Sequence, residues 1–166
     1  MKRWILVVLI ALALAGALLI VGLTQIKLDA LQEPDHLETV LAMGAKHFLV
    51  RWNSREGIPA APKNLQTSVE EGDKLYATDC SMCHGSDGHT ATDAGLWMYP
   101  RASDLTSPSV QYYSDRELFW IVKNGIRLSG MPAFGRVESD EHIWNLVHYV
   151  RTLRGNANAE SEGTAP

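Results

Sequence analysis

Only two cysteines stand among 166 residues, so a disulfide-stapled scaffold is excluded. A large excess of one sign of charge is also lacking. There are 15 Lys and Arg against 19 Asp and Glu, a formal net charge of −4, and no long basic run. That leaves no electrostatic footprint for a nucleic acid. No stretch alternates apolar and polar residues convincingly enough for a sheet, and there is no internal repeat. The mean hydropathy is only −0.09, which excludes a many-span membrane protein. Hydrophobic residues at 46% and charged residues at 20% are ordinary for a globular chain, and the length fits one domain with attachments.

One long apolar run does exist, at the N-terminus. Residues 4–23 carry no charge and follow Lys2 and Arg3. As a helix rising 1.5 Å per residue they would reach about 30 Å, the hydrocarbon thickness of a bilayer. A cleaved signal peptide has a shorter apolar core and then a small-residue cleavage site. Here Ala11, Ala13, Ala15 and Ala17 lie inside the run, and Thr24-Gln25-Ile26 makes a poor site. The reading is therefore an uncleaved transmembrane anchor over residues 1–26. No cysteine follows the run, which excludes a lipoprotein anchor. Lys2 and Arg3 before the span against Lys27 after it place the N-terminus in the cytoplasm. The rest of the chain, more acidic than basic, is then expected on the outer face.

Residues 27–66 read as a connector with one helix. Pro34, Asp35 and Glu38 suit its first turn. Leu37, Val40, Leu41, Ala45, Phe48 and Trp52 form a stripe at helical spacing, to be laid on the bilayer surface, on a partner or, most plainly, on the following domain. Gly57, Pro59 and Pro62 give residues 53–64 a linker composition. Residues 67–155 read as a compact helical domain. Ser68 with Glu71 and Ser114 with Glu117 match capping boxes, and Ser139 with Asp140 and Glu141 starts a third helix. The first of these helices is expected over 69–79. In the last, Ile143, Leu146, Val147, Val150 and Leu153 form a stripe for the core. Residues 156–166 are small and polar, the composition of a disordered tail.

The chemistry is concentrated in Cys80-Ser81-Met82-Cys83-His84, the C-x-x-C-H pattern of c-type haem attachment. Two thiols three residues apart lie on one side of a helical turn and can each add to a vinyl group of one porphyrin. The adjacent imidazole of His84 is then directed at the iron. A zinc site would need a second ligand pair, and there is no second cysteine pair. A thioredoxin-like motif would need a βαβ setting. Six-coordinate iron needs a ligand opposite His84, and methionine or histidine would serve. Met131, in Ser129-Gly130-Met131-Pro132, is the leading candidate, since glycine and a fixed proline backbone can present one side chain rigidly. Met98, among Trp97, Tyr99 and Pro100, suits wall packing better. His36, His47, His89, His142 and His148 are expected in structural or solvent-facing roles.

These residues carry a resemblance. With Gly72 and Tyr76 ahead of the motif, Asp87-Gly88 after it, Gly130-Met131-Pro132, and Tyr149 in the closing helix, residues 67–155 resemble class I c-type cytochromes of bacterial respiratory chains. The resemblance implies an all-α haem domain in which Gly72 lets the first and last helices cross closely and Tyr149 packs at the crossing. It implies one covalent haem c, attached on the outer side of the membrane. It makes Pro100 the residue whose carbonyl accepts a hydrogen bond from His84. Trp97, Tyr99 and Arg101 would hydrogen-bond haem propionates, or Arg101 would make a surface ion pair instead. Tyr76, Leu96, Trp97, Leu118, Trp120 and Phe134 would surround the haem.

The expected function is one-electron transfer by a His84/Met131-ligated haem, with no catalytic residues. The protein would sit in the bacterial inner membrane as a tethered carrier or as a subunit of an electron-transport complex. Its partners would be a protein donor and acceptor, with no nucleic acid and no small-molecule substrate. The competing expectation is a haem that binds a gas or peroxide after Met131 is displaced, as in a sensor or enzyme.

Overall fold

The structure is a computed structural model, and it describes residues 2–24 and 34–155. The charged flank at 25–33 and the tail at 156–166 lie outside the described residues. The chain divides into two units, one ending at Glu33 and one beginning at Pro34. The first contains α1, Lys2–Thr24. Its segment Arg3–Thr24, with hydropathy 3.1, is long and apolar enough to cross a membrane by length and composition.

In the second unit, the described residues form helices and loops without strands. Helix α2 spans His36–Asn53 and is capped by Asp35, whose carboxylate accepts from the Glu38 amide at 2.7 Å. Pro34 thus stands just before the cap rather than in the first turn. The stripe read as the packing face is not that face. Leu37, Val40, Leu41, Phe48 and Trp52 are all exposed. The helix instead turns Met43, Lys46, His47 and Val50 inward. Val50 is buried, and the His47 ring stacks on Tyr113 at 4.6 Å. Both sets have helical spacing, and the larger apolar set is the one left outside.

Residues 54–64 do not behave as a free linker. The Arg116 guanidinium donates to the carbonyls of Ser54 and Arg55 at 3.3 and 3.0 Å. The Trp144 indole donates to the Pro59 carbonyl at 3.2 Å. Gly and Pro forbid regular structure there without setting the segment loose.

Helix α3 spans Leu65–Asp79, starting four residues earlier than its sequence pattern suggests, with Asn64 as cap. Ser68 is interior and buried. Its hydroxyl lies 2.5 Å from Asn145 Oδ1 and 2.7 Å from His148 Nδ1, so its partners are on the last helix. Short helices α4 (Ser81–His84), α5 (Asp93–Leu96) and α6 (Pro108–Gln111) follow. Helix α7, Asp115–Asn124, starts with the expected capping box: Ser114 accepts from the Glu117 amide, and the Glu117 carboxylate accepts from the Ser114 amide at 2.7 Å. Ser114→Ala should lower stability by about 1 kcal/mol. Chemical denaturation of the holoprotein checks this, and a change below a few tenths would mean that the cap is redundant.

Helix α8, Asp140–Thr152, is the spine. Ile143, Leu146, Val147, Val150 and Leu153 are all buried, as their spacing predicts. Phe119 and Trp144 pack at 4.8 Å between ring centroids. The α3–α8 crossing depends on Gly72, where a Cβ would come within 2.1 Å of the Asn145 carbonyl oxygen. Tyr76 and Tyr149 meet beside it at 5.0 Å. Arg151 lies in the last turn of α8. It pairs with Asp115 at 2.7 Å and donates to the carbonyls of Gln111 and Tyr113. That ties the end of α8 to the start of α7.

Candidate functional site

Cys80 is where α3 ends and α4 begins. Its carbonyl accepts from the amides of Cys83 and His84 at 3.1 and 2.9 Å, which folds the C-x-x-C-H segment into one turn. Gly85 ends the turn, and its carbonyl accepts from the buried Tyr76 hydroxyl at 2.7 Å. Helix α3, fixed by its crossing with α8, therefore also fixes the exit of the motif. The two cysteines are partly buried and not joined to each other. The Cys80 thiol is pushed up to about 12 by burial, with the neighbouring Asp79 carboxylate and Cys83 adding to the effect.

The His84 Nδ1 lies 2.8 Å from the Ser103 carbonyl oxygen. A carbonyl can only accept, so Nδ1 carries the proton and Nε2 is left with its lone pair. Burial pushes the imidazole pKa down, and the Ser103 carbonyl acts in the opposite direction. The resulting neutral ring is the form that can coordinate a metal. The acceptor is not Pro100, as the resemblance implied. The loop after α5 is long enough for the Ala102 amide to return to the Gly95 carbonyl at 2.9 Å, which brings Ser103 to the ring.

Cys80, Cys83 and His84 line a largely apolar cavity of about 250 Å³, and Met131 lines the same cavity. Met131 is held by its backbone. Its amide donates to Ser129 Oγ at 3.2 Å, and its carbonyl accepts from the Ile126 amide at 3.4 Å. This fold-back needs Gly125, with φ +66, because a Cβ there would come within 2.7 Å of the Met131 carbonyl oxygen. Two thiols and an imidazole with its Nδ1 satisfied fit a covalently held haem, and the thioether on the same apolar space is one of the donors that haem iron accepts.

A family model for cytochrome c oxidase, cbb3-type, subunit III, matches residues 67–150. The chain belongs to this family. It is a monohaem c-type cytochrome with an all-helical haem domain, and the family implies covalent haem c with its iron. Two solved structures are similar to it. One is a chain of the Kuenenia stuttgartiensis reducing HAO-like protein complex Kustc0457/Kustc0458, with TM-score 0.54 and 21% identity over 59% of this chain. That likeness is one of fold, and the cytochrome spans 49% of that chain. The other is the KustC0563 c-type cytochrome, with TM-score 0.45 and 30% identity over 50% of this chain and 96% of its own.

The remaining expected residues fall into two groups. Pro100, Arg101 and Met98 line the cavity. Trp97 and Tyr99 are not among its lining residues. Trp97 is 81% exposed, and the Tyr99 hydroxyl donates to Glu38 at 2.7 Å, so these two do not form the cavity wall of the cytochrome. Of the six side chains expected around the haem, only Phe134 lines the cavity. Tyr76 and Leu118 belong to the helix core, and Val122, Ile126 and Ala102 stand in their place. The other histidines serve elsewhere. His89 lies 2.9 Å from Asp104, and His142 lies 2.6 Å from Glu138.

Three polar residues of the site also escaped the sequence reading. Ser103 supplies the carbonyl for His84, and nothing in a serine's identity reveals its backbone contacts. Asp79 and Lys46 line the cavity. Asp79 adjoins the motif and could have been suspected on that ground. Lys46 lies far from it in sequence, on the inward face of α2.

Proposed function

We propose that this cytochrome carries one electron at a time through a haem ligated by His84 and Met131. The observation that carries the reading is that these two side chains line one cavity together with both cysteines of the chain. The bound haem supplies the Fe(III)/Fe(II) couple. The residues around it set its conditions. Ser103 holds the proton on His84 Nδ1, which fixes the ring and raises its basicity as a ligand. The Met131 thioether favours the ferrous state and raises the potential. The apolar walls keep water out and disfavour net charge in a low dielectric.

The protein is held by α1 in the bacterial inner membrane, with its N-terminus in the cytoplasm and its haem domain on the periplasmic face. It serves there as a tethered carrier or as a subunit of a membrane electron-transport complex. The length and apolarity of α1 support the anchor. A protein donor and a protein acceptor are its redox partners.

Spectroelectrochemical titration of the solubilised full-length protein tests this reading. A single one-electron wave is expected, with tenfold change per about 59 mV, and no carbon monoxide should bind to the reduced form. Rapid stoichiometric binding would overturn the closed His/Met site in favour of a gas-binding role. Haem-stained native electrophoresis of mild detergent extracts then separates the two roles. A band near the monomer mass identifies a carrier, and a large reproducible band identifies a subunit.

A further inference from the structure

The structure assigns Lys46, on the helix that precedes the haem domain, as the cationic seat for a haem propionate and as a determinant of the reduction potential. Helix α2 lies outside residues 67–150, the part matched by the family model, yet its inward face supplies Lys46 to the wall of the haem cavity. Lys46 and Arg101 are the two Lys or Arg residues on that wall. Lys46 is half-buried, and among the described residues no hydrogen bond or ion pair compensates its charge. A buried ammonium without a partner is costly. Burial accordingly pushes its pKa down, with no carboxylate pulling it back. Its inward neighbours on α2 do not answer the charge either, since His47 is stacked on Tyr113 and Val50 is apolar.

A haem brings two carboxylates into this cavity, and one of them would supply the missing counter-charge. An ammonium that neutralises a propionate removes a negative charge from the neighbourhood of the iron. This disfavours the ferric state, which carries one more positive charge than the ferrous state. One protein carboxylate competes for the lysine. Asp79 lines the same cavity, and its Oδ2 is buried without a hydrogen-bond partner. It lies beyond ion-pair distance of Lys46, which leaves the lysine to the propionate.

The experiment is a redox titration of full-length Lys46→Gln and Lys46→Arg, with infrared redox-difference spectra of protein whose haem propionates carry carbon-13. Lys46→Gln is expected to move the one-electron equilibrium about tenfold towards the oxidised form, ~59 mV, and to shift the labelled carboxylate band. Lys46→Arg is expected to keep both near the wild type. If Lys46→Gln loses haem during assembly, Lys46→Met, which keeps the apolar stem, carries the same measurements. An unchanged potential and an unchanged propionate band would overturn the assignment. So would a Lys46→Gln effect that vanishes in an Asp79→Asn background, because the partner would then be Asp79.

Discussion

Met131→Ala should lower the reduction potential by about 0.1–0.3 V, a substantial part of the roughly 0.8 V that axial ligands span. The same variant should acquire a high-spin visible spectrum and bind carbon monoxide when reduced. Loss of the thioether removes the soft ligand that stabilises ferrous iron and opens a coordination position. The control is Met98→Ala. Met98 lines the same cavity, but its side chain lies against Gly130, where its sulfur would come within 2.4 Å of an added Cβ. It is therefore expected to support the Met131 loop, and its removal should leave the potential near the wild-type value. A wild-type potential in Met131→Ala together with a large fall in Met98→Ala would exchange the two assignments.

Gly72→Val should be the most destabilising single change in the helical unit. An added Cβ would meet the Asn145 carbonyl oxygen at 2.1 Å, the Asn145 carbonyl carbon at 2.7 Å and the Tyr149 Cβ at 2.9 Å. Two of these atoms are backbone inside α8 and cannot swing aside. The helices must separate, and α8 is also the wall against which Phe119 and Tyr76 are buried. Overpacking of this kind costs about 3 kcal/mol, or roughly 10 °C in Tm for a domain of this size. Gly72→Ala should fall between the wild type and Gly72→Val. Calorimetry of the holoprotein measures both, and an unchanged melting temperature in Gly72→Val would show that the close approach is absent in solution.

The parts of the molecule legible in the sequence are those whose determinants are local. The C-x-x-C-H pattern is contiguous because one turn must present two thiols and an imidazole to one ring. The α8 stripe is legible because burial on one side imposes its period. The Ser114 cap is legible because donor and acceptor lie three residues apart. The illegible parts depend on distant chain. Ser68 and Glu71 have the spacing of a capping box, but Asn145 and His148 claim the serine. Helix α2 offers two faces of the correct period, and the core takes the smaller face, with its lysine and histidine, while the larger apolar face stays outside. The carbonyl for His84 comes from Ser103 rather than Pro100 because the path of a loop decides it. Lys46 is remote from the motif in sequence, so only the fold brings it to the cavity.

The cluster of Ser68, Asn145 and His148 makes the α3–α8 joint vulnerable to acid. Burial pushes the His148 pKa below its ordinary 6.5, with Asp115 acting in the opposite direction. An imidazole held neutral in the folded state contributes its full stability above the unfolded value. That contribution is lost as pH falls through 6.5 towards the lower folded value, because the unfolded chain binds the proton first. The domain should thus melt earlier at pH 5 than at pH 7.5, and His148→Gln should flatten that difference. Equal pH profiles for variant and wild type would assign the acid response to other groups. The seam that aligns the haem-bearing helix with the rest of the fold is thereby also a point where a fall in pH is felt as a loosening of the α3–α8 crossing.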